Sequence, residues 1–312
     1  MERILMDNAE LNILVLDGGG SKGVYTLGVL KELELKLGSP LCEHFGLIFG
    51  TSTGSIIAAL IGLGYHIKKI EELYLTLIPE IMGKSSRTGK SEAMEEQAKK
   101  VFGDKKFDSF KTNIGIVALN FETQMPLIFK TNIDQAHAMK QSFKSGFDRT
   151  IETAVRCSSA AYPFFNKMKI NTDNHGEIEV VDGGFIANNS TLYSMVDAYK
   201  ALGYKESNIH LLNVGVGQYI EKSSGLRSKI LKKFGFFQFI ERVLTANTNS
   251  NTLVAKLLFP ELDMLRISDS FPEPQHGTNM FEADLKKLNK MIQLGRSSYA
   301  KYEKDIIKLL RL

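Results

Sequence analysis

The segment Gly50-Thr51-Ser52-Thr53-Gly54 has the pattern G-x-S-x-G, which is typical of an exposed serine nucleophile. The apolar run Leu47–Phe49 precedes it, and an apolar helical pattern follows it. In a sharp turn from strand to helix, flanking glycines relieve crowding and leave the serine hydroxyl exposed at the helix N-terminus. Ser52 is therefore the candidate nucleophile of a hydrolase.

A second candidate is the loop of three consecutive glycines, Gly18, Gly19 and Gly20, between a strand pattern and a helix pattern. Its backbone N–H groups could hold a phosphate, a carboxylate or a transition-state oxyanion. The sequence agrees less well with a dinucleotide-binding fold, because the acidic residue that such a fold has about 20 residues after the glycines is not evident. A kinase-like phosphate loop is also less consistent, because such a loop closes a hairpin and here a helix follows.

A serine hydroxyl needs a base, and Asp182 is the better candidate. A strand pattern ends at Asp182-Gly183-Gly184, and parallel α/β sheets build their sites at the carboxyl ends of strands. His276 is the only downstream histidine placed on a loop like the base of a triad, whereas His210 lies in an apolar strand pattern. The other histidines have no motif around them: His44, His66, His137 and His175.

These segments together resemble the patatin-like phospholipase family. Its glycine loop, Gly-Gly-Gly-x-Lys/Arg-Gly, is matched by Gly18 to Gly23 with Lys22 at the basic position. Its G-x-S-x-G and Asp-Gly-Gly/Ala motifs are matched at Ser52 and Asp182, and TQMPLIFKT and RCSSAAYPFF match two lesser signatures in the same order. We expect two departures from plant members to lie away from the chemistry: Ser55 where those members have glycine, and Asn188-Asn189-Ser190 where they have Asn-Asn-Pro.

The resemblance implies a Ser52–Asp182 dyad without a catalytic histidine, acting on acyl esters of membrane glycerophospholipids. It implies an oxyanion hole at Gly18–Gly20, chiefly the N–H groups of Gly19 and Gly20, and no metal or required cofactor. It gives Lys22 a structural or headgroup-facing position, and Gly23, Gly50, Gly54, Gly183 and Gly184 a supporting one.

In length and motif layout the chain also resembles compact bacterial members of the family that act in antiphage (CBASS) defence. These are silent until a cyclic di- or oligonucleotide binds, and the resemblance implies such an activator and self-association on activation. The alternatives are a constitutive enzyme of lipid metabolism and, less consistent with the motifs, a phosphate-binding kinase-like protein.

The pattern of elements predicts a three-layer α/β/α fold around a mostly parallel sheet, because strands and helices alternate up to about Gly217. We expect a single domain over 1–312, with a core at about 12–217 and a helical lid and C-terminal helices at about 218–312. The charged start predicts no signal peptide, and the apolar run after Ser52 is too short to span a bilayer.

Composition restricts the choice of compartment and partner. Cys42 and Cys157 lie in buried-looking segments, which is typical of reduced thiols in a cytoplasmic protein. The resemblance implies that such a protein acts at the inner face of the membrane. The net charge is +4, and no basic stripe with interleaved aromatic residues accompanies it. A nucleic acid polymer is therefore not an expected partner.

Two basic segments are candidates for contact with a ligand or a lipid headgroup. The first carries Lys84, Arg87 and Lys90; it is not a P-loop, because Gly83 is one residue too far upstream. It is either a solvated connection or a contact for a phosphate-bearing ligand. The second, 226–244, has an apolar helical face flanked by cations that include Arg227, Lys229, Lys232, Lys233 and Arg242. It is either a lid over the acyl site or a membrane-surface helix.

Overall fold

The structure is a computed structural model that describes residues 9–137, 143–172, 176–219 and 231–312, and for 231–238 the backbone alone. Its strands are β1 (Leu11–Leu16), β2 (Leu47–Thr51), β3 (Asn113–Asn120), β4 (Pro126–Lys130), β5 (Met168–Thr172), β6 (Gly176–Asp182), β7 (Ile209–Val214), β8 (Gln218–Tyr219), β9 (Asp263–Ile267) and β10 (Ser270–Phe271). Its helices are α1 (Gly23–Leu37), α2 (Thr53–Gly62), α3 (Ile67–Met82), α4 (Arg87–Phe102), α5 (Ile151–Ser158), α6 (Gly184–Ala187), α7 (Thr191–Val196), α8 (Leu231–Leu258) and α9 (Leu285–Leu310).

The described residues contain one large central sheet of eight strands. Its order is β5-β6-β3-β2-β1-β7-β9, and β4 also pairs with β3. The five strands β3, β2, β1, β7 and β9 run parallel to one another, whereas β4 and β6 are antiparallel to β3. The prediction of a mostly parallel sheet is confirmed.

Helices cover both faces of this sheet. Because alternate side chains of a strand point to opposite faces, Leu14 and Leu16 pack in the core beneath α1, α2, α3 and α9, while Ile13 and Val15 pack in a second core beside α6 and α7. The three-layer α/β/α architecture is confirmed. The two cores fix the ends of β1 and β2, from which the glycine loop and Ser52 follow.

The central sheet extends beyond the core boundary expected near residue 217. Strand β9 pairs in parallel with β7, and α9 packs against α1, so the C-terminal third of the chain contributes to the sheet and to one helical layer. Helix α8 packs on α6 and α7. Of the segment 218–312 that we expected to form a lid and C-terminal helices, only α8 therefore occupies the position of a lid. The single domain over 1–312 stays a prediction.

Three further properties concern the described residues alone. No helix there is both long enough and apolar enough to cross a membrane. No cluster of three or more histidine, cysteine, aspartate or glutamate side chains there could hold a metal ion. Cys42 and Cys157 are buried free thiols, and burial raises the pKa of Cys157 to about 12.

Candidate active site

Ser52 occupies the turn between β2 and α2. Its φ of 54° lies in the left-handed region, which is rare for a residue with a side chain and requires support from the surrounding packing. A Cβ atom on Gly50 would lie 2.3 Å from the Gly54 carbonyl oxygen, and one on Gly54 would lie 2.2 Å from the Leu16 carbonyl oxygen. Both flanking positions of the motif therefore need glycine for this close approach.

Asp182, the last residue of β6, accepts the hydrogen bond of Ser52. The Ser52 Oγ donates to Asp182 Oδ2 at 2.7 Å. The other carboxylate oxygen, Oδ1, accepts the backbone N–H of Gly184 at 2.7 Å. The carboxylate is thus held in place, and the distance to Ser52 Oγ permits direct proton transfer.

Asp182 is positioned by a strand, β6, whose direction differs from the one that the sequence indicated. We expected the end of a parallel strand, but β6 is antiparallel to β3 and pairs with it only through the last residues of both strands. Asp182 lies opposite Ala118, and the neighbouring residue of β3, Val117, pairs with Thr51 of β2. The carboxylate therefore reaches Ser52 across the carboxyl end of β3.

Burial changes the acidity of Asp182. The residue is 5% exposed, and removal from water raises the pKa of its carboxyl to about 6, although the hydrogen bonds from Ser52 and Gly184 act in the opposite direction. A base whose pKa lies near neutrality is both ionised at pH 7 and able to accept a proton from a reacting hydroxyl.

The backbone N–H groups of Gly19 and Gly20 are the donors available to an oxyanion. The N–H of Gly18 already donates to the Asn188 carbonyl oxygen at 3.0 Å. Gly19 and Gly20 line the same pocket as Ser52, and their N–H groups have no acceptor among the residues that the structure describes. Of the three glycines expected to form an oxyanion hole, Gly19 and Gly20 thus have N–H groups available, whereas the Gly18 N–H anchors the loop.

A buried polar network holds the start of the glycine loop. Asp17, directly before Gly18, accepts hydrogen bonds from Asn189 Nδ2 and Asn213 Nδ2, both at 2.9 Å. Its other oxygen lies 2.8 Å from an Arg266 guanidinium nitrogen. Asp17 is 2% exposed, so these partners offset the cost of burying its charge. Sequence patterns did not identify this network, because its members come from distant parts of the chain.

Two polar contacts lie close to the departures from the plant pattern. Ser190, the residue that departs from Asn-Asn-Pro, is buried directly before α7, and the expectation that both departures lie away from the chemistry stays a prediction. Asn188 lines the pocket, binds Gly18 through its carbonyl oxygen, and donates from Nδ2 to Thr248 of α8 at 3.0 Å. The Ser55 hydroxyl donates to the Ser52 carbonyl oxygen at 2.7 Å. Ser55 and Asn188 thus contact backbone groups next to the reacting atoms and not Ser52 Oγ itself.

Helix α8 is connected to the glycine loop through Glu241. Its Oε1 lies 3.3 Å from Lys22 Nζ and accepts the Met280 N–H at 3.2 Å. The Met280 carbonyl oxygen accepts the Ser21 N–H at 2.9 Å and lies 2.2 Å from where a Cβ on Gly20 would be, at a φ of 59°. Of the two positions expected for Lys22, this geometry matches the structural one.

An apolar pocket opens beside the dyad. Its walls come mainly from α2, α3 and α4, and Ile240 and Leu244 of α8 cover one side. Hydrocarbon side chains dominate the lining, among them Ile56, Leu60, Leu73, Ile78, Val101 and Phe102. A pocket of this kind can accommodate an acyl chain whose ester carbonyl reaches Ser52.

Among the described residues, no histidine lines this pocket. His276 lies instead beside Phe271, with its Nε2 3.8 Å from a Glu273 oxygen. His210 is buried in β7, which agrees with its apolar strand pattern. His44, His66 and His137 contact Ser39, Glu34 and Asp197 respectively, and His175 lies outside the described residues. The site as described offers Ser52 a carboxylate as its base.

The basic residues expected to meet a ligand fall into two groups. Arg87 and Lys90 lie in the first turn of α4 with their cationic groups over aromatic rings that line the pocket, and Lys84 precedes them. Arg227 and Lys229 lie outside the described residues, and Lys232 and Lys233 are described by their helical backbone alone.

Comparison with known proteins identifies the class. A family profile described as patatin-like phospholipase matches residues 14–194. The chain is 44% identical over 298 residues to the cUMP-AMP-activated phospholipase of Escherichia coli, covering 96% of this chain and 93% of that protein. It is 23% identical over 328 residues to the cGAMP-activated phospholipase of Vibrio cholerae serotype O1, covering 92% and 90%. VipD from Legionella pneumophila superimposes with a TM-score of 0.48 at 12% identity, covering 97% of this chain and 67% of that one.

The chain belongs to the patatin-like phospholipase family and is a lipid acyl hydrolase. The resemblance stated from its motifs is confirmed.

Proposed function

We propose that this protein hydrolyses acyl esters of membrane glycerophospholipids through a Ser52–Asp182 dyad. The observation that supports this most directly is the 2.7 Å hydrogen bond from Ser52 Oγ to a buried carboxylate whose pKa burial raises to about 6. The apolar pocket beside the pair supports a long-chain acyl substrate over a small polar ester.

The reaction follows from this geometry in two halves. Asp182 takes the proton as Ser52 Oγ attacks the ester carbonyl carbon, and the N–H groups of Gly19 and Gly20 donate to the resulting oxyanion. The C–O bond to the glycerol then breaks, and the leaving alkoxide takes the proton from Asp182. In the second half, Asp182 deprotonates a water molecule that attacks the carbonyl carbon of the acyl-serine ester. The bond from that carbon to Ser52 Oγ then breaks and Oγ takes the proton from Asp182, which releases the fatty acid and restores both residues.

We further propose that a cyclic dinucleotide activates this hydrolysis and that the active enzyme degrades the inner face of the cell membrane, self-associating as it does so. The support is similarity across nearly the whole length to a relative named cUMP-AMP-activated phospholipase. The alternative is a constitutive enzyme of lipid metabolism, with the same dyad and no activator.

The position of α8 is compatible with such control. On one side, Ile240 and Leu244 cover the pocket, and Glu241 binds both Lys22 and the Met280 N–H. A ligand that shifts α8 would therefore change access to the pocket and the placement of the oxyanion donors together. This gives an activator a physical route to the reacting groups.

Addition of cUMP-AMP is expected to raise hydrolysis sharply. We expect fatty acid release from phosphatidylglycerol vesicles to be low for the purified protein alone and to increase at submicromolar to micromolar cUMP-AMP, because the uncomplexed enzyme holds α8 over the pocket. A matched titration with the linear trinucleotide UpApU, which carries the same two phosphodiester charges, controls for charge. Full activity without any nucleotide, unchanged across cyclic di- and trinucleotides, would support the constitutive alternative.

The outward face of α8 supports contact with a lipid surface. Its inward face is polar in part, with Glu241, Thr248 and Asn251 bonded to the site. Its outward face carries an exposed apolar stripe that spans about 28 Å of helix: Phe239, Val243, Leu253, Val254, Leu257 and Leu258. The exposed cations Arg242 and Lys256 flank this stripe, which suits an anionic bilayer.

Replacing two residues of this stripe is expected to separate membrane binding from chemistry. The double variant Phe239→Ser/Leu257→Ser should reduce cosedimentation with phosphatidylglycerol vesicles at least about tenfold, since two large side chains no longer enter the lipid. Hydrolysis of a soluble short-chain ester should stay unchanged. Leu35→Ser, at an exposed leucine of α1, is the matched control. If vesicle binding persists and sedimentation shows instead that self-association is lost, the stripe contacts a second copy of the chain.

A further inference from the structure

The rim of the apolar pocket carries two cations that rest on aromatic rings. Lys90 Nζ lies 4.8 Å from the centroid of the Phe281 ring, and the Arg87 guanidinium carbon lies 5.6 Å from the centroid of the Tyr162 ring. Both rings line the pocket that contains Ser52. Because both rings are half-buried, the first turn of α4 thus places two positive charges at a solvent-accessible edge of the pocket.

Neither cation is paired with a carboxylate within the described part of the chain. This distinguishes them from two neighbouring cations: Arg156 pairs with Glu95 and Glu152, and Lys167 pairs with Glu179. Burial lowers the pKa of Lys90, and no nearby carboxylate counteracts that effect.

An aromatic face attracts a cation but leaves its N–H groups without strong acceptors. Arg87 and Lys90 are three residues apart in α4, so their side chains lie on one side of the helix. Their combined donors, beside the positive end of a 16-residue helix, match the oxygens of a phosphate group.

We propose that Arg87 and Lys90 form a phosphodiester-binding site at the rim of the acyl pocket. The inference rests on the proposed function. When an ester carbonyl of a glycerophospholipid is at Ser52 and its chain fills the apolar pocket, the phosphodiester, only a few bonds away, must lie outside the apolar walls. The rim cations are placed to receive it and to select phospholipids over neutral glycerides.

A phosphodiester anion has two sources in this system: the lipid headgroup and a cyclic dinucleotide. Both would engage the same donors. Binding of the headgroup would raise affinity for phospholipid alone, whereas binding of the dinucleotide would act equally on every substrate through activation. The two sources are therefore distinguished by whether loss of the cations affects phospholipid hydrolysis alone or hydrolysis of every substrate.

The test compares Arg87→Gln/Lys90→Gln with Lys99→Gln/Lys100→Gln, a variant with the same charge change on the same helix at two cations paired with Glu95 and Glu96. Substrates are phosphatidylglycerol and diacylglycerol with identical chains, in one nonionic micelle, with cUMP-AMP saturating. For a headgroup site we expect kcat/KM on phosphatidylglycerol to fall at least about tenfold through KM, with less than about a twofold change on diacylglycerol.

Two calorimetric measurements make the test independent of turnover. In a Ser52→Ala background, affinity for the soluble lipid dihexanoylphosphatidylglycerol should fall about tenfold in the rim variant, and no hydrolysis is needed to observe it. If the site binds the dinucleotide instead, affinity for cUMP-AMP falls about tenfold and lipid affinity is unchanged. Lys90→Gln alone, checked by circular dichroism, replaces the double variant if the latter does not fold.

The proposal is overturned if the rim variant matches the control variant in lipid affinity, nucleotide affinity and both rates. It is also overturned if both rates fall equally while both affinities are unchanged, because the substitutions would then have distorted the pocket. Failure of the proposed function gives a different result. The native protein would then hydrolyse no lipid, while the rim variant would still bind lipid or nucleotide more weakly than the control variant.

Discussion

Replacing Ser52 with alanine is expected to reduce hydrolysis of phosphatidylglycerol vesicles at saturating cUMP-AMP by at least about 10⁴-fold, because the variant lacks the hydroxyl that is hydrogen-bonded to Asp182. The fold should persist. Alanine adopts the same backbone region as serine, and Asp182 keeps the hydrogen bond from the Gly184 N–H. Fatty acid release, together with thermal unfolding followed by circular dichroism, measures both expectations.

Ser55→Ala is the matched control for this substitution. Ser55 lies one turn into α2 and donates to the Ser52 carbonyl oxygen, so its loss removes a neighbouring hydroxyl without removing the nucleophile. We expect most activity to remain. Activity retained by Ser52→Ala would instead exclude the proposed dyad and return attention to a phosphate-binding loop, which ATP binding by the purified protein would reveal.

Asp182→Asn is expected to lower the rate by about 10²- to 10⁴-fold, which is the usual contribution of a general base. The amide has nearly the shape of the carboxylate but one acceptor oxygen, so proton acceptance is lost together with one of the two hydrogen bonds from Ser52 and Gly184. His276→Ala and His210→Ala should each retain most activity, since neither residue lines the pocket. If His276→Ala were as inactive as Ser52→Ala, a conventional triad would be the correct description.

The same carboxylate determines how activity depends on pH. Asp182 acts as a base when ionised, and its pKa is raised to about 6 by burial, so kcat/KM should be maximal above pH 6 and fall about tenfold per pH unit below it. An ordinary aspartate, with its pKa near 3.8, would give a profile that stays flat down to pH 4 to 5. The residual activity of Asp182→Asn should lack the fall near pH 6.

The parts of the site that depend on local geometry could be predicted from the sequence. The G-x-S-x-G turn and the three-glycine loop are compact segments whose conformations follow from glycine at fixed positions, and both are formed as expected. The direction of β6 could not be predicted, because a short alternating pattern carries no information about the strand beside it. The sequence predicted that the strand ends at Asp182. It did not predict that pairing with β3 places the Asp182 carboxylate beside Ser52.

Long-range polar contacts were missed for a different reason. Asp17 meets Asn189, Asn213 and Arg266 only after β1, β7 and β9 have paired, so no spacing in the sequence indicates the network. Helix α8 was recognised only in its first half. Its second half contains the polar run Asn247–Asn251, which resembles a loop in sequence but forms hydrogen bonds with α6 and with the segment that follows it.

The most direct test of the Ser52–Asp182 dyad is the rate and position of labelling by an alkyl fluorophosphonate at saturating cUMP-AMP, read by mass spectrometry of the digested protein. The dyad predicts one adduct, on the peptide that contains Ser52. The adduct should be absent from Ser52→Ala, slowed by about 10²-fold or more in Asp182→Asn, and formed at the native rate in His276→Ala. An adduct on another residue, or labelling of Ser52 at the same rate without Asp182, would contradict the dyad.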